Sequence, residues 1–128
     1  MALKFVIIGG GPAGHQAATY AARLGAQVTV IERDVIGGAA NLWDCIPSKT
    51  MIATGGAMSF MHRLEGMGLD DVTPGIDRER LAERVNRIAG RLQQGYTSQL
   101  ESQGIRIIDG TGRFTGPHSI VSDTADGR

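Results

Sequence analysis

Leu3-Lys4-Phe5-Val6-Ile7-Ile8-Gly9-Gly10-Gly11-Pro12-Ala13-Gly14 runs a short apolar stretch straight into a glycine-rich turn. Residues 3–8 are rich in β-branched side chains and stop at Gly9, which predicts a strand buried on both faces, the kind found inside parallel sheets. Pro12 suits a first helical turn. Ala13, Gln16, Ala17, Tyr20, Ala21 and Leu24 then recur at spacings of three and four until Gly25, so a helix with that buried stripe is expected. Residues 27–31 form the next strand pattern, and strand, helix, strand over residues 3–32 is a βαβ unit with a right-handed crossover. The fold class that follows is α/β, Rossmann-like, around a parallel sheet.

The turn matches the G-x-G-x-x-G pattern, and its place between a strand and a helix gives the match its weight. In that pattern Gly9 makes the tight turn, Gly11 lets a pyrophosphate approach the backbone, and Gly14 lets helix and strand pack closely. Pro12 and Ala13 sit where unpaired helix N–H groups and the positive dipole end favour an anion. A Walker-type loop needs Lys after Gly14; His15 stands there instead. Glu32 lies 18 residues past Gly14, at the end of the second strand, where a carboxylate can accept hydrogen bonds from an adenosine ribose, with Arg33 beside it. The pattern does not separate FAD from NAD, since both carry an ADP half, and a purely structural turn with a solvated Glu32 is the plain alternative.

Outward from this unit, residues 33–44 read as a loop, and Pro47 opens a helix that Gly55 and Gly56 weaken. Residues 65–75 read as a connection. Asp77 is the expected N-cap of a long helix over 77–103, with Leu81, Val85, Ile88, Leu92, Tyr96 and Leu100 as its buried stripe and Gly104 as its end. Arg78, Arg80, Arg84, Arg87 and Arg91 are interleaved with Glu79 and Glu83, with Glu83 and Arg87 as an i,i+4 pair, so a solvated face is expected there. Residues 105–108, 112–115 and 119–122 are short strand candidates, and a small antiparallel excursion is expected beside the parallel sheet. Asp126-Gly127 is a hairpin-turn signal one residue from the end at Arg128, which suggests the front part of a longer polypeptide.

Composition bounds the partners. With 13 basic and 13 acidic residues the net charge is zero, so nothing points to nucleic acid or an anionic membrane. The apolar run near the start is too short for a membrane span or a signal peptide, and a cytoplasmic protein is expected. Three histidines without ligand spacing and one cysteine give no metal site, and Cys45 has no intrachain disulfide partner.

Gly37-Gly38-Ala39-Ala40-Asn41-Leu42-Trp43-Asp44-Cys45-Ile46-Pro47-Ser48-Lys49 resembles the active-site segment of the flavoprotein pyridine nucleotide-disulfide oxidoreductases, the group of dihydrolipoamide dehydrogenase, glutathione reductase and mercuric reductase. There the segment reads Gly-Gly-Thr-Cys, four residues, then Cys-x-Pro-Ser-Lys, after an N-terminal FAD-binding βαβ unit. The resemblance covers essentially the whole chain. It implies FAD as cofactor with NAD(P)H as electron donor, Gly38, Ala39 and Gly112 beside the flavin nucleotide, Cys45 against the flavin and Lys49 near its N5. It also implies that the NAD(P)H and dimerisation domains are absent from these 128 residues and that the full-length protein is a homodimer.

Two departures from that pattern decide the expected function. Ala40 replaces the first redox cysteine, so a dithiol cycle is unavailable, and Asp44 replaces a glycine before the second. This combination resembles the NAD(P)H quinone reductase branch, which implies hydride transfer from NAD(P)H through FAD to a quinone-type acceptor. A thiol just before a helix opened by Pro47 has its pKa lowered by the helix end, whereas Asp44 acts oppositely; a small buried filler is the other reading of Cys45. A disulfide reductase of the dihydrolipoamide dehydrogenase type, disfavoured by Ala40, an NAD-binding dehydrogenase, disfavoured by residues 37–49, and a non-catalytic nucleotide-binding module remain the rival readings.

Overall fold

The computed structural model describes residues 2–70 and 72–124. The Asp126-Gly127 turn signal lies outside them. Three strands, β1 (Lys4–Ile8), β2 (Gln27–Glu32) and β3 (Arg106–Asp109), form a parallel sheet with β2 in the centre. Lys4 pairs with Gln27 and Thr29 with Arg106. β4 (Thr111–Gly116) and β5 (Ser119–Asp123) form a separate antiparallel hairpin that turns at Pro117 and His118. The expected α/β architecture, parallel sheet plus small antiparallel excursion, is the one observed.

The helices are α1 (Pro12–Arg23), α2 (Ile46–Met61) and α3 (Arg78–Ser102). α1 and α3 end the same way: Gly25 and Gly104 take positive φ, and the residue after each glycine donates back to the carbonyl of Ala21 or Leu100. Asp77 caps α3 by accepting from the Arg80 amide at 3.0 Å. Val28 and Val30 of β2 meet Ala18 of α1, Leu100 of α3, Ile36 and Ile105 in one core. The stripe read for α3 is its inward face, partly buried along its length and fully buried at Leu100.

Several expectations change. β1 is not buried on both faces: Phe5, Val6 and Ile8 are 40–42% exposed, because β1 pairs with β2 alone and stands at the sheet edge. The buried line of α1 is His15, Ala18 and Thr19, whereas Tyr20 and Leu24 lie in solvent; the small side chains permit the close approach to the sheet and the large ones overhang the open edge. Residues 40–45 are not loop: Ala40–Cys45 is wound as a π-helix that continues into α2. α2 passes through Gly55 and Gly56, whose cost of about 1 kcal/mol each is offset by packing on α3. Glu83 and Arg87 do not pair; the ion pairs among the described residues are Arg80 with Asp77 and Arg113 with Asp123.

Candidate functional site

The glycine turn has a separate constraint at each position. Gly9 holds φ +102°, a conformation that L side chains rarely adopt. A Cβ on Gly14 would overlap the Gly9 carbonyl oxygen, so this glycine is required for α1 to pack on the turn. Gly11 differs: at φ −69° it has ordinary extended geometry, and its nearest neighbour to an added Cβ is the Gly38 Cα at 3.9 Å. The fold therefore tolerates a small side chain at Gly11. The space in front of it is open to something else.

Gly38 closes on the same point from the other side. It has φ +69°, and a Cβ on it would stand 2.7 Å from the Gly11 Cα and 3.7 Å from Pro12 Cδ. Gly38 also begins the helical run that continues through the π-helix into α2. Two helix N-termini thus meet at Gly11 and Gly38, neither capped by a side chain and neither carrying an acid in its first turn. Their positive ends add, and their backbone N–H groups are donors for an anion.

Glu32 ties the turn to β2. Its Oε2 accepts from the Gly10 N–H at 2.6 Å and its Oε1 from the Asp34 N–H at 2.9 Å. A carboxylate offers about four lone-pair sites, so acceptor capacity remains toward the neighbouring space. That space is a cavity of about 350 Å³ at the C-terminal end of the sheet, where Gly9, Glu32, Arg33, Gly38, Ala39 and Gly112 come together. The Gly110 N–H donates to the Glu32 carbonyl at 2.9 Å, and a Cβ on Gly112 would come within 3.0 Å of Ile8. Crevices beyond the carboxyl ends of parallel strands are where such sheets bind ligands.

Sequence reasoning missed Gly10, Asp34 and Val35, and the resemblance that pointed to the stretch from Gly110 to Phe114 did not show how its first residues, Gly110 and Thr111, reach the site. The last two reach the cavity because β3 runs parallel to β2 and ends level with Glu32, a register that the separate strand patterns do not encode.

Of the other expected residues, Pro12, Ala13 and Gly14 form the first turn of α1 beside the cavity and do not line it. Cys45 is half-buried, Lys49 is exposed on α2, and neither lines it. The argument from a helix start just after Cys45 fails, because the helical run begins at Gly38 and Cys45 sits well inside it. The open helix end lies at the Gly11 contact instead. No cluster of metal-ligating side chains occurs among the described residues, and no helix there is long and apolar enough to cross a membrane.

His15 is 6% exposed, with a buried Nε2 that has no hydrogen-bond partner, and burial pushes its pKa below the ordinary value of 6.5. Its ring meets Tyr96 edge-on, with centroids 5.0 Å apart.

Comparison with known proteins places this geometry. Residues 3–126 match the pyridine nucleotide-disulphide oxidoreductase family. A dihydrolipoyl dehydrogenase of Zymomonas mobilis is 32% identical over 122 residues, covering 95% of this chain and 26% of that protein. A Mycobacterium tuberculosis NAD(P)H dehydrogenase (quinone) is 39% identical over 138 aligned positions, covering 99% and 28%. The crystal structure of LpdA from Mycobacterium tuberculosis superposes with a TM-score of 0.87 at 38% identity, covering 99% of this chain and 29% of the other. The chain spans about a quarter of the length of these relatives. With the match running through the turn, the Gly37 to Lys49 segment and the hairpin alike, the chain belongs to the pyridine nucleotide-disulphide oxidoreductase family.

Proposed function

We propose that this chain is the FAD-binding portion of an NAD(P)H oxidoreductase that reduces a quinone-type acceptor. The observation that carries the reading is the meeting of two uncapped helix ends at Gly11 and Gly38, with open space in front of Gly11. That arrangement fits a pyrophosphate: backbone donors and two positive dipole ends face one point, and an added Cβ would fill the approach. Glu32 and the cavity bounded by Arg33, Ala39 and Gly112 fit the adenosine end, and Glu32 disfavours a 2′-phosphate there.

FAD, when bound, supplies the chemistry of accepting hydride from NAD(P)H and releasing electrons to the acceptor. The chain's own residues bind and orient it. Lys49 carries the positive charge that would favour negative charge on the isoalloxazine, and Cys45, lacking a thiol at position 40, has no partner for a dithiol cycle. That absence supports direct reduction of a quinone over reduction of a disulfide, and it accords with the name of the mycobacterial relative, an NAD(P)H dehydrogenase (quinone). The NAD(P)H site and a homodimer interface belong to a polypeptide of the relatives' full length, and a cytoplasmic setting is part of the same reading.

The test is the absorbance spectrum of the purified complete protein. Flavin bands released as FAD on denaturation are the expected result; bound nicotinamide without flavin would overturn the assignment. The 128 residues alone are expected to retain FAD weakly.

A further inference from the structure

Three separate pieces of the site converge on one side chain outside it. The Tyr96 ring, on α3, lies against Gly37, where an added Cβ would stand 2.8 Å from its Cδ2 and where φ is +105°. Its hydroxyl accepts from Asn41 Nδ2 at 3.4 Å, a contact spanning 55 residues of sequence. Its ring also packs in a T-shaped contact with the ring of His15, the residue directly after Gly14. The space among these groups is not filled: a cavity of about 90 Å³ is bounded by Pro12, His15, Gly37, Asn41 and Tyr96. The Gly37 N–H also donates to the Gly10 carbonyl at 2.9 Å, and across the loosely filled junction Tyr96 is the side chain from α3 that touches α1, the Gly37 turn and the π-helix together.

We propose that Tyr96 is a positioning residue, a strut that holds the helical run bearing Cys45 and Lys49 against the phosphate turn. The inference rests on the dinucleotide reading of that turn. Tyr96 touches no reacting group; it acts through Gly37, which precedes the Gly38 contact with Gly11, and through Asn41, one turn before Cys45. Without the ring, the hollow under Gly37 is held by Leu42 and by the Gly37 bond to the Gly10 carbonyl, and the convergence of the two helix ends becomes one arrangement among several. A ligand that needs that arrangement then binds in proportion to its population.

Amide hydrogen exchange of the complete protein, without added FAD, reads this directly. Tyr96→Leu should speed exchange across residues 37–45 by about tenfold, the scale of a lost aromatic contact, while residues 105–108 change far less. FAD affinity should fall by a similar factor. Tyr96→Phe keeps the ring and should stay within about twofold of wild type, since only a long hydrogen bond is removed. If Tyr96→Leu does not fold, Tyr96→Met, which keeps more of the volume without the ring, should give the same local pattern. Equal acceleration in 37–45 and 105–108, or none in 37–45, would make Tyr96 an ordinary core residue and overturn the proposal. Failure of the wild type to bind FAD would overturn the dinucleotide reading instead, and the exchange measurement would still decide the strut.

Discussion

The carboxylate of Glu32, at the end of β2, accepts a hydrogen bond from the Gly10 amide at 2.6 Å, so one side chain fixes the turn that follows β1. An added Cβ at Gly10 would lie 2.7 Å from Ile36 and 3.3 Å from Glu32, which keeps that amide close against the carboxylate. A charge-assisted bond of this kind contributes about 1.5–3 kcal/mol. Glu32→Ala is therefore expected to lower stability by about that amount and to weaken dinucleotide binding. Glu32→Gln should retain part of both. Urea denaturation with and without FAD checks this, and an Ala variant as stable as wild type would show that the bond has no structural weight.

Gly11 and Gly14 should separate binding from folding. Gly11→Ala meets no protein atom nearer than 3.9 Å and has allowed backbone geometry, so the variant should keep its melting temperature and lose FAD. Gly14→Ala drives a methyl into the Gly9 carbonyl and should unfold the turn whether or not ligand is present. Normal flavin occupancy in Gly11→Ala would mean that the turn is only structural.

How much of this was legible in the chain differs from element to element. The turn, Glu32 and the α3 stripe could be read because each is a local pattern whose period or spacing is set by backbone geometry. The exposure of β1 could not, since Phe5 and Val6 have the same apolar pattern at an edge as at a centre, and pairing decides between them. Residues 40–45 looked like loop because Gly37 and Gly38 precede them, yet those glycines start the helical run. The Tyr96 contacts with His15 and Asn41 join residues too distant in sequence for any spacing rule.

Acid should destabilise the protein in part through His15. Burial favours its neutral form, so its folded pKa lies below its unfolded value of 6.5. The contribution is complete above the unfolded value and is lost as pH falls below 6.5 toward the folded pKa. Chemical denaturation at a series of pH values from 7.5 down should show stability falling through this window, and His15→Gln should flatten that part of the slope. An unchanged slope in the variant would assign the acid sensitivity to other groups.

On the proposed function, Cys45→Ser should leave quinone reduction with at most a modest loss, because position 40 offers no thiol for a relay. Lys49→Ala should slow reduction by NAD(P)H with FAD still bound, if its positive charge lies beside the isoalloxazine as proposed. Stopped-flow absorbance of both variants reads the two effects separately; a Cys45→Ser protein that keeps FAD but loses quinone turnover would contradict the first.

The proposed function turns on Ala40: with one thiol in this segment, the proposed route carries electrons from the flavin directly to the acceptor and not through a disulfide. Steady-state NADH oxidation by the complete protein, with a small quinone and with lipoamide as alternative acceptors at equal concentration, tests it. Turnover with the quinone and none above background with lipoamide is the expected result, and lipoamide reduction at a rate comparable to the quinone would contradict direct transfer.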